Sequence, residues 1–234
     1  MNSARIAFAL IILFCASAAL AGERRYSVSD FDKIRIVGAA GVTVETGRAT
    51  TVRATGDREA IEALSVEVQD RVLTVQPLGG IFNPETKRAK STATLFVTLP
   101  QLSGVKLNGS GSIKAAMLRG AQADVSLTGS GQITIARVLV DRLTVRLSGA
   151  GTMTLAGKAL NVDASIKGAG NLAASALDTA DLKLMAASSG LISMSAKRSA
   201  TVTATGSGTV AIIGGPSCTV QNLGVGTVNC GKKP

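Results

Sequence analysis

Glycine pairs that bracket one small residue offer this chain its most obvious chemistry, since a Gly-rich turn can cradle a phosphate with its backbone N–H groups. They are Gly109 and Gly111, Gly129 and Gly131, Gly149 and Gly151, Gly168 and Gly170, Gly206 and Gly208, and Gly224 and Gly226. A dinucleotide site needs a third glycine three residues after the pair, and a helix behind it. Those positions hold Lys114, Thr134, Thr154, Ala173, Ala211 and Asn229. The stretch from Gly151 to Gly157-Lys158-Ala159 resembles a phosphate loop. It has one residue too many between its glycines, and Ala159 stands where magnesium needs Ser or Thr. The glycines are therefore read as structural corners, with no bound cofactor. A tight bend between strands needs positive φ or close backbone approach, which glycine alone accepts without strain.

Other reactive side chains are sparse. There is no histidine, which removes a Ser-His-Asp triad and any His-based metal site. Beyond residue 100 the acids are Asp124, Asp141, Asp163, Asp178 and Asp181. They lack the regular spacing of a calcium-binding β-roll. Asp124 and Asp163 share a repeat position two repeats apart, which on stacked strands means about 10 Å. That is too far for a retaining glycosidase and just beyond the inverting range. No lysine keeps a fixed offset from the corner serines, and the basic residues make no single stripe of the kind a polysaccharide lyase uses. No aromatic residue follows Phe96. The platforms on which single-stranded nucleic acid or a sugar would stack are thus missing from that stretch. These absences exclude a nucleic-acid partner and point away from an enzyme, with a carbohydrate-active enzyme as the least favoured alternative.

The elements behind the corners explain why the glycines recur. Counting Ser188 and Gly190 as a degenerate copy, successive corners lie 20, 20, 19, 20, 18 and 18 residues apart, periods that belong to solenoids. Four residues before each corner stand Val105, Val125, Val145, Ala164, Leu184, Val202 and Val220, and two before it Leu107, Leu127, Leu147, Ile166, Ala186, Ala204 and Asn222. Four residues after it stand Ile113, Ile133, Met153, Leu172, Ile192, Val210 and Val228, and six after it Ala115, Ile135, Leu155, Ala174, Met194, Ile212 and Cys230. Residues between these columns are mostly polar. Alternation with period two on both sides of a corner means two half-buried strands per repeat. Stacked repeats then bury one continuous core. The fold class is all-β, a parallel β-helix with about seven coils of 18–20 residues over residues 101–234.

Residues 22–100 continue the pattern less regularly, as a capping unit with the first coils. Ile34, Ile36, Val42 and Val44 flank a turn over residues 38–41, and a hairpin is expected around Asp70-Arg71. Asp57 is the expected N-cap of a short helix reaching Leu64. Residues 79–91 read as a surface loop. Residues 1–21 read as a signal peptide: Arg5, an apolar run over 6–14, then Ala19-Leu20-Ala21. Cys15 inside it is poorly placed for lipidation after Leu13-Phe14. No later apolar run is long enough for a membrane span. Cys218 and Cys230 both fall on inward positions of the last coil. In an exported chain they would form a disulfide that staples it, the other reading being two reduced core cysteines.

Charge is uneven. Residues 22–100 carry 11 basic and 10 acidic side chains, whereas residues 101–234 carry 13 and 5. Lys106, Lys114, Arg142, Arg146, Lys167 and Lys183 are the candidate surface for an anionic partner. The simpler reading of these side chains is solubility and protection of exposed strands.

Several segments together resemble the bacterial GIN domain, an adhesin-head family: Phe31-Asp32-Lys33-Ile34, Leu95-Phe96-Val97-Thr98-Leu99-Pro100, and Val105-Lys106-Leu107-Asn108-Gly109-Ser110-Gly111. The Gly-Ser-Gly and Gly-Ala-Gly corners and the ending Gly215-Pro216-Ser217-Cys218 through Cys230 extend the resemblance over nearly the whole mature chain. It implies a right-handed parallel β-helix in an exported bacterial protein, and no catalytic residues to carry over. The expected function is a non-enzymatic cell-envelope protein, in the periplasm or at the outer surface. Its solenoid would bind a macromolecular, anionic partner such as envelope lipid or glycan. The alternative is a structural module that assembles with itself as a homo-oligomer.

Overall fold

A computed structural model describes residues 22–78 and 93–231. The expected signal peptide, the loop over 79–91 and the last three residues lie outside the described part. Eighteen strands and one helix are present among the described residues. The N-terminal unit holds β1 (Gly22–Tyr26), β2 (Lys33–Gly38), β3 (Gly41–Thr46), β4 (Thr51–Gly56), α1 (Arg58–Glu62), β5 (Leu64–Gln69), β6 (Val72–Pro77) and β7 (Thr94–Leu99). The coils follow as β8 (Gly104–Gly109), β9 (Ser112–Gly129), β10 (Gln132–Gly149), β11 (Thr152–Gly168), β12 (Asn171–Ala174), β13 (Leu177–Ser188) and β14 (Leu191–Ser195). The last are β15 (Ser199–Ala204), β16 (Thr209–Ile213), β17 (Ser217–Asn222) and β18 (Thr227–Cys230).

Parallel pairing stacks these into a β-solenoid of about six turns. Residues before each corner build a first face, in which Val105 pairs with Val125, Val125 with Val145 and Val145 with Ala164. Residues after each corner build a second face, with Ile113, Ile133, Met153 and Leu172 in one ladder. The inward columns are sealed: Leu107, Leu127 and Ile133 have no accessible surface and Leu147 has 1%. Burying each such leucine contributes roughly 2 kcal/mol.

A third side closes each coil, and it carries core residues that alternation around the corners does not reveal. Leu118, Val138 and Leu177 point inward there, joined by Leu143, Val162, Leu182 and Ala200 at the turn back to the first face. Variation in coil length is confined to this side. Ile135 pairs with Leu155, but Val138 pairs with Gly157, so one residue is lost between them. Ala174 pairs with Met194, whereas Asp181 pairs with Ser199, so two residues are lost there. The first and second faces thereby keep their register while the repeat shortens from 20 to 18.

Corner glycines are demanded by the stack itself, for reasons that differ between the two members of a pair. Positive φ occurs at the first member of the first four pairs, Gly109, Gly129, Gly149 and Gly168. At Gly149 φ is +119°, and a Cβ would lie 2.4 Å from the carbonyl oxygen of Gly129 in the coil below. The second members, Gly111, Gly131, Gly151 and Gly170, have ordinary φ and lie buried between strands. Left-handed backbone is thus not what those positions require, and close approach alone selects glycine there. A Cβ at Gly131 would lie 2.6 Å from the Gly111 carbonyl oxygen and 2.7 Å from Leu107 Cδ2. At Gly170 it would lie 2.8 Å from both the Gly151 carbonyl oxygen and Leu147 Cδ2. The second glycine therefore makes room for a core leucine as well as for the coil below. The last pairs, Gly206 with Gly208 and Gly224 with Gly226, also have ordinary φ. At Gly206 a Cβ would sit 2.0 Å from the Ser188 carbonyl oxygen. Ser188 replaces a glycine by closing the turn with its hydroxyl, which accepts a 3.0 Å bond from the Gly190 N–H.

The N-terminal end departs from simple stacking. The β2–β3 coil lies between the β6–β7 coil and the β8–β9 coil, since β2 pairs with both β6 and β8, and β3 with both β7 and β9. The chain leaving β7 must step past one coil to enter β8. Antiparallel β4 and then β1 extend the second face, and antiparallel β5 extends the first. The β5–β6 hairpin turns through Asp70 and Arg71, both at positive φ. Helix α1 is shorter than expected, ending at Glu62. Asp57 stands at its N-cap without a side-chain cap hydrogen bond. Ala60 and Ile61 are buried from this helix, so apolar contact rather than a cap holds it in place.

Candidate binding surface

Parity along the strands decides which charges meet. Inward positions are apolar, so every basic residue of the coils is turned outward, and its face follows from its distance to the corner. Lys106, Arg142, Arg146, Lys167 and Lys183 come together on the first face. Lys114 lies across the corner on the second face, between Thr43 and Thr134 in its ladder. Lys33 and Arg35 of β2 join the first face, with Arg35 directly beside Lys106. All seven first-face cations are exposed.

Four acids share that face, one of them Glu67 of β5, which stands opposite Thr74. Asp124 pairs with Arg146 across one strand. Asp163 lies in register beside Lys183. Asp181 accepts from Arg198 Nε at 2.8 Å and from the Ser199 hydroxyl at 2.7 Å. Among the described residues, Lys33, Arg35, Lys106, Arg142 and Lys167 form no ion pair. Beyond Lys114 the outward positions of the second face are uncharged, as in Gln132, Thr134, Thr152, Thr154, Asn171 and Ala173. The positive charge of the coils is thus shared between the first face and the third side, where exposed Arg119, Arg137, Lys158, Lys197 and Arg198 stand with Asp141 and Asp178.

The hydrogen bonds from Arg198 and then Ser199 hold the Asp181 carboxyl down to about 2, from an ordinary 3.8. A depressed folded-state value means the contact adds stability above the ordinary value and loses it as pH falls toward about 2. An Asp181→Asn variant is therefore expected to melt earlier than the parent near neutral pH and with it at about pH 2. Equal melting at every pH would show the contact to be neutral.

Among the described residues, three grooves border the candidate surface or its neighbouring sides. One of about 470 Å³ opens beside the first face, where Lys33 and Arg142 meet Asp32, Asp124 and Ser103. Ser103 donates to Asp32 at 2.7 Å, which leaves the two cations as the uncommitted groups. A second, of about 380 Å³, lies on the third side with Leu139 and Leu160 exposed between Lys158 and Lys197. Lys197 is paired to Asp178 at 3.1 Å.

The third groove, about 490 Å³, lies at the N-terminal end of the second face and escapes a reading by repeats. Arg25, Arg53 and Phe96 line it side by side because β1, β4 and β7 pair in the registers Arg25 to Arg53 and Arg53 to Phe96. The Arg53 guanidinium stacks 5.1 Å from the centre of the Phe96 ring. Glu23 accepts from both Arg25 and Arg53, and the Arg25 bond is the main cause that lowers its carboxyl value. The only sequence signal for this grouping is that the aromatic residues all fall before residue 97.

Among the described residues no three His, Cys, Asp or Glu side chains gather where a metal could bind. Asp124 and Asp163 stand two strands apart, with Thr144 between them. No helix among the described residues is long and apolar enough to cross a membrane.

A family model described as "Putative auto-transporter adhesin, head GIN domain" matches residues 30–216. Among solved structures, a putative adhesin from Bacteroides fragilis aligns with a TM-score of 0.79 at 23% identity, covering 89% of this chain and 96% of that one. A protein from Parabacteroides distasonis described as a putative lipid binding protein aligns at 0.69 with 20% identity, covering 91% and 97%. A putative adhesin from Parabacteroides merdae aligns at 0.65 with 20% identity, covering 91% and 96%. Likeness at these identities concerns the fold. No curated protein matches the chain.

Proposed function

The chain belongs to the family of GIN domains of auto-transporter adhesin heads, and from that premise we propose that it is a non-enzymatic binding module of the cell envelope. Its basic first face holds an anionic macromolecule, either lipid headgroups or an acidic glycan. The observation that carries this reading is a set of exposed first-face cations that no ion pair neutralises. Lys33, Arg35, Lys106, Arg142 and Lys167 stand exposed on that face and pair with no acid among the described residues. A rigid strand face fixes its side chains in rows about 4.8 Å apart. A polyanion can therefore meet several of them without ordering a loop, which keeps the entropic cost of binding low. The apolar run before Gly22, with its small-residue cleavage site, supports export to the compartment where such partners occur. A neighbour in fold described as a putative lipid binding protein is consistent with the lipid arm of this reading.

Charge reversal tests it. A basic residue near an anionic surface is worth about 1 kcal/mol. Lys106→Glu, Arg142→Glu and Lys167→Glu together are expected to weaken binding about a hundredfold or more. Binding is read by co-sedimentation with phosphatidylglycerol vesicles and by retention on an immobilised acidic polysaccharide, which separates the two ligand sources. All three side chains are exposed, so the melting temperature should stay close to that of the parent. Undiminished binding to both anions by the triple variant would sink the reading.

A further inference from the structure

We infer that the C-terminal end of the solenoid is the contact surface for a second copy of this chain, through antiparallel pairing of β17 with its two-fold mate. Among the described residues the last coil is open: β17 pairs only with β15 and β18 only with β16. Ser217 and Leu223 donate their N–H groups to Arg198 and Ala204 of the preceding coil, and Thr227 and Gly231 to Gly208 and Ile212. In a parallel ladder, alternate residues bond to one neighbour. The N–H and C=O groups of Cys218, Val220 and Asn222 therefore point away from β15, off the end of the stack.

Exposed edges in monomeric proteins carry charges, prolines or a covering element. Within the two strands of this edge there are none: between Pro216 and Lys232, residues 217–231 contain no charged residue and no proline. Apolar side chains stand open beside it, with Val220 41%, Leu223 75% and Val225 91% exposed. At the opposite end, edge strand β1 carries Glu23, Arg24 and Arg25, β5 carries Glu67, and α1 lies between them. One end is blunted and the other is left able to pair.

The contrast also selects the occupant. An uncharged edge is complementary to itself, and a two-fold axis at Val220 lets each outward donor meet an outward acceptor. With one open end per molecule, the contact closes at a dimer and does not grow into a fibre. In that dimer the two basic faces act together, so a polyanion would be gripped at two places. The inference itself does not rest on the basic face, and a monomer could still bind.

Sedimentation equilibrium of residues 22–234, over a hundredfold range of micromolar concentrations, reads the result directly. The expected mass is twice that of the chain, falling toward one on dilution. Val220→Pro removes a donor that makes no bond within the molecule and places a proline on the free edge. It should give a monomer with an unchanged circular dichroism spectrum. Thr219→Lys with Gln221→Lys keeps every backbone bond and sets like charges across the axis, so it should weaken the dimer at least tenfold. Arg25→Glu, at the blunted end, should leave the mass unchanged. A monomer at the highest concentration, a dimer that survives both tail variants, or open-ended polymers would each overturn the inference.

Discussion

Gly149→Ala is expected to destabilise the molecule by about 3–5 kcal/mol, more than any exposed substitution. Two costs combine at this corner. The backbone lies at φ +119°, where an L side chain is strained by about 1–2 kcal/mol. The new methyl carbon would also sit 2.4 Å from the Gly129 carbonyl oxygen. That oxygen cannot give way freely, because it accepts the Ala150 N–H at 3.0 Å. Separating the coils breaks this bond and the ladder contacts beside it, and the neighbouring coils lose their packing surface. Gly41→Ala is the control: its Cβ would meet the Ser112 hydroxyl at 3.4 Å and the Thr94 hydroxyl at 3.8 Å, in ordinary backbone geometry. It should cost less than about 0.5 kcal/mol. Urea denaturation compares the two, and equal midpoints would contradict the account of the corners.

Removing the disulfide should have the second-largest effect, and a local one. Cys218 and Cys230 are bonded, twelve residues apart. Cys218 stacks under buried Ala200 and Cys230 under buried Ile212, so the bond spans the open end of the core. Closing a loop of this size is worth about 3 kcal/mol by the entropy of the unfolded chain. A Cys218→Ser/Cys230→Ser variant is expected to release β17 and β18, because each coil is held mainly by its neighbours. Amide exchange there should rise by about a hundredfold, with β9 to β11 unchanged. Uniform loss of protection along the chain would show that the molecule unfolds as one unit instead.

Much of this architecture is legible in the residues because it is local. Val105, Leu107, Ile113 and Ala115 alternate around one corner, and the same arrangement returns at a fixed step, so both faces follow from strand geometry. The inward parity of Cys218 and Cys230 follows in the same way. Which corner glycine needs which freedom is not legible. Gly129 and Gly131, or Gly168 and Gly170, look alike in the repeat, and only the stacked coils give one of them positive φ and the other a leucine to clear. The third side is hidden too. Leu118, Val138 and Leu177 lie where the repeat changes length, and a fixed count from the corner loses them. The placement of β2–β3 between two later coils depends on pairings across more than 60 residues, such as Lys33 with Gly104. No local pattern records such a partner. The groove at Arg25, Arg53 and Phe96 is hidden for the same reason, since antiparallel pairing alone brings those side chains together. On the candidate surface, five of the six predicted cations share a face. Lys114 falls elsewhere because it follows its corner, whereas the others precede theirs.

The central claim is that a rigid solenoid presents a basic face to an anionic envelope partner. Recovery of partners from bacterial envelope fractions by the mature protein, across a salt series, tests it most directly. Exposed charges separated by more than about 8 Å are screened at physiological ionic strength. The account predicts partners rich in anionic lipid or acidic glycan that are lost steeply as salt rises. Partners retained at high salt, or recovery of the protein alone at low salt, would contradict it.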